Sequence, residues 1–153
     1  MTRTEFKREF EVRWADLDPN RHLRNTAYSD YATHTRFSVL IEHGFTPSRF
    51  EELAFGPVVF REETRFMREV AMGDKVTIDV TVAGLSTDAS RWRIRHHVLR
   101  ADGATAAVVT LEGSWLDLKT RKLTLPPAEL RDLFLRMPKT QDFEELAAAV
   151  KKQ

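Results

Sequence analysis

The chain has 153 residues, with 24 lysines and arginines, 23 aspartates and glutamates, and no cysteine. This length favours one domain, because about 70% of the unfolded surface can be buried at this size. The net charge of +1 argues against a nucleic-acid-binding surface, and the lack of cysteine excludes disulfides, thiolate nucleophiles and Cys-ligated zinc. The longest nearly apolar stretch, residues 53–60, is too short to span a bilayer. Residues 1–14 contain no apolar run typical of an export signal, so we expect a cytoplasmic protein.

The first part of the chain predicts a strand followed by a long helix. Even spacing places four apolar residues on one buried strand face: Phe6, Phe10, Val12 and Trp14. A stretch without glycine or proline then predicts a helix over residues 26–43. Asn25 or Thr26 can cap its start, and Gly44 can provide the left-handed residue at its end.

A short helix and a run of strands follow. Thr46 and Pro47 predict the start of the short helix, with Phe50 and Leu53 facing inward. From residue 58 onwards the apolar pattern alternates, which is typical of half-buried strands. The predicted strands cover residues 58–66, 76–82, 92–98, 107–115 and 122–125. The Asp102-Gly103 pair predicts the hairpin turn between the third and fourth of them.

The last part of the chain predicts two helices. Pro126-Pro127 ends the sheet and starts a helix that buries Leu130, Leu133 and Phe134. A capping box at Asp142 and Glu145 predicts a final helix. Its apolar positions follow the helical spacing: Phe143, Leu146, Ala147 and Val150.

The order of these elements predicts an α+β fold in which one long helix packs on a sheet of five or six antiparallel strands. We expect a single domain over residues 1–153, with its core in residues 5–125 and tail helices in residues 126–153. One helix covers only one face of such a sheet, so a second copy of the chain is an economical cover for the other face.

The loop between the first strand and the long helix concentrates polar side chains. It contains Asp16, Asp18 and His22, and it leads into Asn25 at the helix start. Backbone N–H groups and the helix dipole stabilise negative charge at such a position. A carboxylate beside this oxyanion-binding position favours acyl-transfer chemistry. The alternative is that the aspartates and Asn20 only form turns and cap the helix.

The spacing Asp16-x-Asp18-x-x-x-His22-x-x-Asn25-x-x-Tyr28 resembles the active-site signature of hotdog-fold acyl-CoA thioesterases, the group related to 4-hydroxybenzoyl-CoA thioesterase. In that family, Asp-x-Asp is followed by His-Val-Asn-Asn and by a tyrosine at the head of the central helix. Asn25 stands at the second asparagine. Arg24 replaces the first asparagine and Leu23 replaces the valine.

Two further segments resemble the same family. The Arg65-Phe66-Met67-Arg68 stretch before Gly73-Asp74 is similar to the family's aromatic-x-basic-Pro segment, with Glu69 at the usual proline position. The Pro126-Pro127-Ala128-Glu129-Leu130-Arg131 stretch is similar to its closing Pro-Glu-Leu-Arg segment. The resemblance covers residues 5–135 and implies a hotdog fold.

The resemblance implies a mechanism for thioester hydrolysis. Asp18 would attack the thioester carbonyl or activate a water molecule, and the backbone N–H of Asn25 would polarise the carbonyl oxygen. His22 would orient the reacting groups, Asp16 would brace the loop, and Tyr28 would line or support the substrate site. The thioester has a good thiolate leaving group, so a carboxylate can suffice.

The resemblance also implies ligands and partners. The substrate would be an acyl-CoA or an acyl carrier protein thioester, no cofactor would be needed because CoA is part of the substrate, and the protein would be a homodimer or a dimer of dimers (a homotetramer). Two arginine groups suit the CoA phosphates, Arg65 with Arg68 and Arg91 with Arg93. Arg24 could contact a phosphate or carboxylate of the substrate.

The sequence bears on three other functions. A metal site is disfavoured because the five histidines show no paired facial arrangement, and His96 and His97 point to opposite faces of a strand. A hotdog hydratase or dehydratase fits less well. In those enzymes the histidine follows the aspartate by five positions, whereas here His22 follows Asp18 by four positions and Asp16 by six. A non-catalytic acyl-CoA-binding or regulatory protein stays open, because Thr33 and His34 stand where many relatives carry an acid.

Overall fold

A computed structural model of the chain describes residues 5–150, so residues 1–4 and 151–153 of the predicted domain lie outside the described part. The described residues form an α+β fold with one large sheet, as the element order predicts. Its helices are α1 (Asn25–Glu42), α2 (Pro47–Leu53) and α3 (Ala128–Arg136). The strands are β1 (Lys7–Glu11), β2 (Phe55–Phe66), β3 (Lys75–Asp79), β4 (Thr81–Leu85), β5 (Arg91–Arg100), β6 (Thr105–Asp117), β7 (Leu123–Thr124) and β8 (Lys139–Glu145).

The sheet is built around β5 and β6, which form a long antiparallel hairpin at the predicted Asp102-Gly103 turn. β6 pairs along its other edge with β2, while β7 pairs near the end of β6 on the same edge as β5. β5 pairs along its other edge with both β3 and β4, and these pair in turn with β1 and β8. All pairings are antiparallel except the one between β4 and β8.

The eight strands exceed the predicted five or six for two reasons. The strand predicted over residues 76–82 is interrupted at Val80 and continues as β4. The final helix predicted from the capping box is wrong, because β8 and the residues after it occupy that part of the chain. Asp142 binds the guanidinium of Arg95 at 2.7 Å, and the backbone of β8 pairs with the open edge of β4. A long-range pairing therefore overrides the local helical pattern.

The core lies between α1 and the sheet face that carries alternate residues of β5. One cluster is formed mainly by the C-terminal half of α1, the strands and α3, and includes Leu40, Trp92, Ile94, Trp115 and Phe134. A second cluster lies under the N-terminal half of α1 and includes Tyr28, Tyr31, Val76, Ile78 and Val98. The loop with the predicted signature sits next to this second cluster.

Three local predictions need correction. Trp14 is 79% exposed, because the chain leaves the sheet after Glu11 and turns before the loop. Leu53 at the end of α2 is exposed rather than buried. Neither Asn25 nor Thr26 caps α1, because the helix already begins at Asn25. The predicted cap of α2 is confirmed, since Thr46 accepts a hydrogen bond from the N–H of Arg49.

Candidate active site

The loop between β1 and α1 is held in place by backbone hydrogen bonds. It begins with a single 3-10 turn at Trp14–Asp16. Leu17 and Leu23 pair across the loop and bring its two arms together. Leu23 donates its N–H to the carbonyl oxygen of Val70 at 2.7 Å, and His22 pairs with the residue that follows Val70. The loop is therefore anchored to the segment that precedes β3.

Asp18 lies in a tight turn that its own carboxylate closes. Its Oδ1 atom accepts hydrogen bonds from the backbone N–H groups of Asn20, at 2.8 Å, and His22, at 3.1 Å. The backbone reverses at Arg21, whose φ of 66° lies in the left-handed region. Among residues 5–150, no group donates a hydrogen bond to Oδ2 of Asp18. One carboxylate oxygen fixes the turn, and the other is available to a substrate or a water molecule.

Asp16 is buried, with 4% of its surface exposed, and its carboxylate binds three side chains. The hydroxyl of Tyr31 donates to Oδ2 at 2.5 Å, and Nε of Arg13 donates to the same oxygen at 3.1 Å. Nη1 of Arg24 donates to Oδ1 at 3.0 Å. The hydrogen bond from Arg13, followed by the one from Tyr31, lowers the pKa of Asp16 to about 2. This geometry agrees with the role of a brace for the loop.

The start of α1 offers free backbone donors next to this loop. Arg24 precedes the helix, and no side chain caps it. In the described part of the chain, nothing accepts a hydrogen bond from the N–H of Asn25 or Thr26. Arg24 does not cover them, because its guanidinium binds Asp16 and Asp30, at 3.0 and 3.3 Å. The positive end of the helix dipole is therefore open to a substrate oxygen.

His22 belongs to the turn that Asp18 closes, and Tyr28 lies in the first turn of α1. The Nε2 atom of His22 lies 3.1 Å from a carboxylate oxygen of Glu69, the residue at the family's usual proline position. Tyr28 is buried, and its ring stands edge-on to Phe66 with 5.3 Å between the centroids. Burial and the nearby charge of Asp18 raise the pKa of Tyr28. Tyr28 thus provides a neutral, buried wall beside Asp18.

Arg65 and Arg68 lie at the end of β2 and just beyond it, and both are exposed. Phe66 contacts Tyr28 on α1, so Arg65, its neighbour on the strand, points to the opposite face of the sheet. Within the described ranges, neither guanidinium lies within 4.0 Å of a carboxylate. Both side chains are therefore free to bind an anion, although Arg65 does so from the sheet face that points away from α1.

Arg91 and Arg93 do not lie near the loop that contains Asp16 and Asp18. Along β5, the residues that alternate with Arg91 and Arg93 are the buried ones that face α1, so these arginines point to the opposite face of the sheet. Arg93 binds Glu112 and Glu144, each at 2.6 Å, and Arg91 lies 3.9 Å from Glu112. This placement does not support the predicted contact of either arginine with the CoA phosphates.

A cavity of about 310 Å³ lies between α1 and the sheet. Its walls are mostly apolar and come from α1, β2, β5, β6 and the region of α3, with Phe37, Leu40, Val59, Ile94, Trp115 and Phe134 among the residues that line it. Its polar lining consists of Thr33, Arg36 and Glu62. The sequence prediction missed Arg36. The signal available in the sequence was Glu62, a charged residue within an otherwise apolar strand series.

The described residues contain no group of three or more histidines, aspartates or glutamates placed to hold a metal ion. No helix within residues 5–150 is long and apolar enough to cross a membrane.

A long helix on a large, mainly antiparallel sheet, with an acidic loop at the helix start, defines the hotdog class of α+β proteins. The chain belongs to the thioesterase-like superfamily, whose family model matches residues 12–134. That range includes the signature loop, α1 and the strands β2 to β7. The resemblance identified from the sequence is therefore confirmed. No curated protein sequence is significantly similar to the chain.

Solved structures confirm the fold at low sequence identity. A hypothetical protein from Staphylococcus aureus in complex with CoA is 18% identical, with a TM-score of 0.79 over 89% of this chain and 87% of that one. A 1,4-dihydroxy-2-naphthoyl-CoA thioesterase from Synechocystis is 16% identical, with a TM-score of 0.77 over 86% and 96%. A probable thioesterase from Escherichia coli is 21% identical, with a TM-score of 0.72 over 86% and 98%.

Proposed function

We propose that the protein is an acyl-CoA thioesterase that hydrolyses an acyl thioester to a free acid and CoA, with Asp18 as nucleophile or general base. The observation that carries the proposal is the Asp18 carboxylate, which has one oxygen held by two backbone N–H groups and one oxygen free. It lies in the loop that leads directly into the open N-terminus of α1. Family membership and the CoA complex of a similar structure support this substrate class.

The proposed reaction uses Asp18 and the start of α1 together. The free oxygen of Asp18 attacks the thioester carbonyl, or removes a proton from a water molecule that attacks it. The N–H of Asn25 stabilises the negative charge that forms on the carbonyl oxygen, an effect worth about 3 kcal/mol per well-placed donor. The C–S bond then breaks, and the thiolate of CoA leaves and takes up a proton. If Asp18 is the nucleophile, the acyl group is left on its carboxylate as an anhydride, which a water molecule then hydrolyses to the free acid and Asp18. We propose that no cofactor takes part.

The other signature residues have supporting roles in this proposal. Asp16 holds the loop through Arg24 and Tyr31, and Tyr28 packs beside Asp18. His22 is tied to Glu69 and donates its backbone N–H to Asp18, so it orients the turn. We therefore assign Arg24 a structural role, since both of its partners are carboxylates of this chain.

We propose that Arg65 and Arg68 bind the CoA phosphates. They are exposed at the end of β2 and just beyond it, and they have no carboxylate partner in the described part of the chain. Replacing both with alanine should raise KM for an acyl-CoA about tenfold or more, since charge-assisted hydrogen bonds contribute about 1.5–3 kcal/mol each. Arg93→Ala is the matched control, because the Arg93 guanidinium is already bound to Glu112 and Glu144, and it should leave KM unchanged. Equal effects of the two changes would refute the assignment.

We propose that two or four copies assemble. Within residues 5–150, β2 has a paired strand on one side only, and this 12-residue strand exposes Val59, Phe60 and Phe66. An open, partly apolar strand edge favours pairing with another strand. Light scattering coupled to size exclusion tests the proposal, and a monomer at micromolar concentration would contradict it.

A panel of acyl-CoAs and acyl carrier protein thioesters, assayed for released thiol, tests the proposed activity. Release from at least one thioester that depends on Asp18 supports it. Tight binding by calorimetry without release would favour a regulatory protein. Formation of a 3-hydroxyacyl product from an enoyl-CoA would favour a hydratase.

A further inference from the structure

The cavity between α1 and the sheet continues the face of α1 that begins at Asn25. Residues three or four positions apart share a helix face, so Asn25, Ser29, Thr33 and Arg36 follow one stripe. Thr33 and Arg36 line the cavity. The rise of a helix places Arg36 about 16 Å from Asn25 along its axis. An acyl group whose carbonyl lies at the start of α1 can therefore reach the cavity by running along the helix.

β2 forms the second wall of this path. Phe66 contacts Tyr28 at the start of α1, and Glu62 accepts a hydrogen bond from Ser29 one turn further on. Towards its beginning, β2 contributes Val59 to the cavity lining. β2 thus runs beside α1 from the loop with Asp18 to the cavity.

Arg36 lies in this cavity without a carboxylate partner. Its Nη1 atom is 3.1 Å from Nε2 of His96, and its Nη2 atom donates to the hydroxyl of Thr33 at 3.3 Å. His96 is fully buried, and its Nδ1 atom lies 2.7 Å from the carbonyl oxygen of Asp79. Since that carbonyl can only accept, Nδ1 carries the proton and Nε2 accepts from Arg36. Both partners of the guanidinium are therefore neutral, and no carboxylate in residues 5–150 lies within 4.0 Å of it.

A guanidinium has five N–H donors, and Arg36 uses two of them. Burial lowers the pKa of Arg36 to about 10, although the charge of Glu62 opposes the shift. The side chain is therefore still a cation at neutral pH. Glu62 does not fully neutralise the Arg36 cation, and the carboxylate of Glu62 is bound to the hydroxyl of Ser29.

Arg36 lines the cavity, and its remaining N–H donors have no acceptor among the described residues. A ligand that brings hydrogen-bond acceptors into the cavity would satisfy them.

We infer that the cavity receives the far end of the acyl group, and that Arg36 selects acyl groups that end in a carboxylate. The planar fork of a guanidinium matches a carboxylate, which accepts two parallel hydrogen bonds. The apolar walls, such as Phe37 and Ile94, suit the methylene chain that joins the two ends. This inference rests on the proposed function, since it assigns the substrate class of the same site.

The test compares two acyl-CoAs of equal chain length, one ending in a carboxylate and one in a methyl group, over a series of chain lengths. For the wild type, we expect kcat/KM for the carboxylate-ended substrate to exceed that for the methyl-ended one by about 10- to 100-fold at the best length. Arg36→Met should remove this preference, while Arg36→Lys, which keeps the charge without the fork, should retain part of it. Arg131→Met is the matched control and should keep the wild-type ratio, because Arg131 is exposed on α3 and binds no carboxylate among residues 5–150.

Thermal unfolding shows whether each variant is folded, and Arg36→Lys carries the test if Arg36→Met does not fold. A wild type that hydrolyses the two substrates equally, or prefers the methyl-ended one, would overturn the inference and leave the proposed activity intact. So would an unchanged ratio in Arg36→Met. If the wild type hydrolyses no thioester, the proposed activity fails. In that case calorimetry tests the inference, with non-hydrolysable thioether analogues of the carboxylate-ended and methyl-ended substrates. Tighter binding of the carboxylate-ended analogue by the wild type, but not by Arg36→Met, supports the inference. Equal binding of the two analogues overturns it.

Discussion

Asp16→Asn is expected to destabilise the fold by an amount that depends on pH. The change keeps the size of the side chain and removes the charge that Arg13 and Arg24 bind. The pKa of Asp16 falls from 3.8 to about 2 on folding, which corresponds to about 2 kcal/mol at neutral pH. The side chain of Arg13 is 72% exposed, so solvent screening reduces the expected loss to about 1–2 kcal/mol. For a domain of this size, the melting temperature should fall by about 3–6 °C.

The pH dependence follows from the direction of the pKa shift. A carboxylate whose pKa is lower in the folded state stabilises the fold above its unfolded pKa, and this stabilisation is lost as the pH falls towards the folded pKa. The wild type and Asp16→Asn should therefore differ fully at pH 5 to 7 and converge near pH 2, since the asparagine does not titrate. Thermal unfolding followed by circular dichroism at pH 7, 5, 3.5 and 2.5 measures both melting curves.

Asp30→Asn is the matched control. Asp30 also binds Arg24, but its side chain is 68% exposed, so its removal should cost less than about 0.5 kcal/mol at any pH. Equal melting temperatures of the wild type and Asp16→Asn at pH 7 would refute the account of the loop. A difference as large at pH 2.5 as at pH 7 would show that the lost charge is not its cause, since the shifted pKa leaves only about a third of the effect at pH 2.5.

Three further changes have expected outcomes. Arg36→Met should raise the melting temperature by about 2–5 °C. Burial of the cation, which lowers its pKa to about 10, destabilises the fold by about 3 kcal/mol, and the loss of its hydrogen bonds cancels roughly half of the gain from removing it. A lower melting temperature would contradict this prediction. Gly113→Ala should cost about 3 kcal/mol in urea unfolding, because the new Cβ collides with the carbonyl oxygen of Val58. Gly56→Ala, which meets no atom within 4 Å, is its control, and equal losses would refute the argument. Thr46→Ala should lose about 1 kcal/mol with the helix cap, and no loss would dismiss the cap.

The elements that the sequence predicts well are those that neighbouring residues determine. The cap at Thr46, the left-handed Gly44 at the end of α1 and the Asp102-Gly103 hairpin all involve contacts within a few positions. The alternation along β5 is equally local, since every second residue faces the helix. The spacing of the signature loop belongs to this group, because one short segment contains all of its residues.

The features that the sequence does not predict depend on residues far apart in the chain. β8 replaces a helix because the edge of β4 is open and Arg95 binds Asp142, 47 positions away. Arg36 differs from the other arginines of the helices because it contacts His96, 60 positions away, inside a cavity. A helical pattern shows which face Arg36 occupies, but not that a neutral histidine is its partner.

Free-thiol release from acyl-CoA by the wild type and by Asp18→Asn tests the central claim most directly. The asparagine keeps an oxygen that can accept from the N–H groups of Asn20 and His22, and it loses the charge. Asp117→Asn is the matched control, because Oδ1 of Asp117 also accepts from two backbone N–H groups in a turn outside the site. We predict that Asp18→Asn loses at least about 1,000-fold in kcat while Asp117→Asn keeps it. Turnover by Asp18→Asn at the wild-type rate would contradict the account.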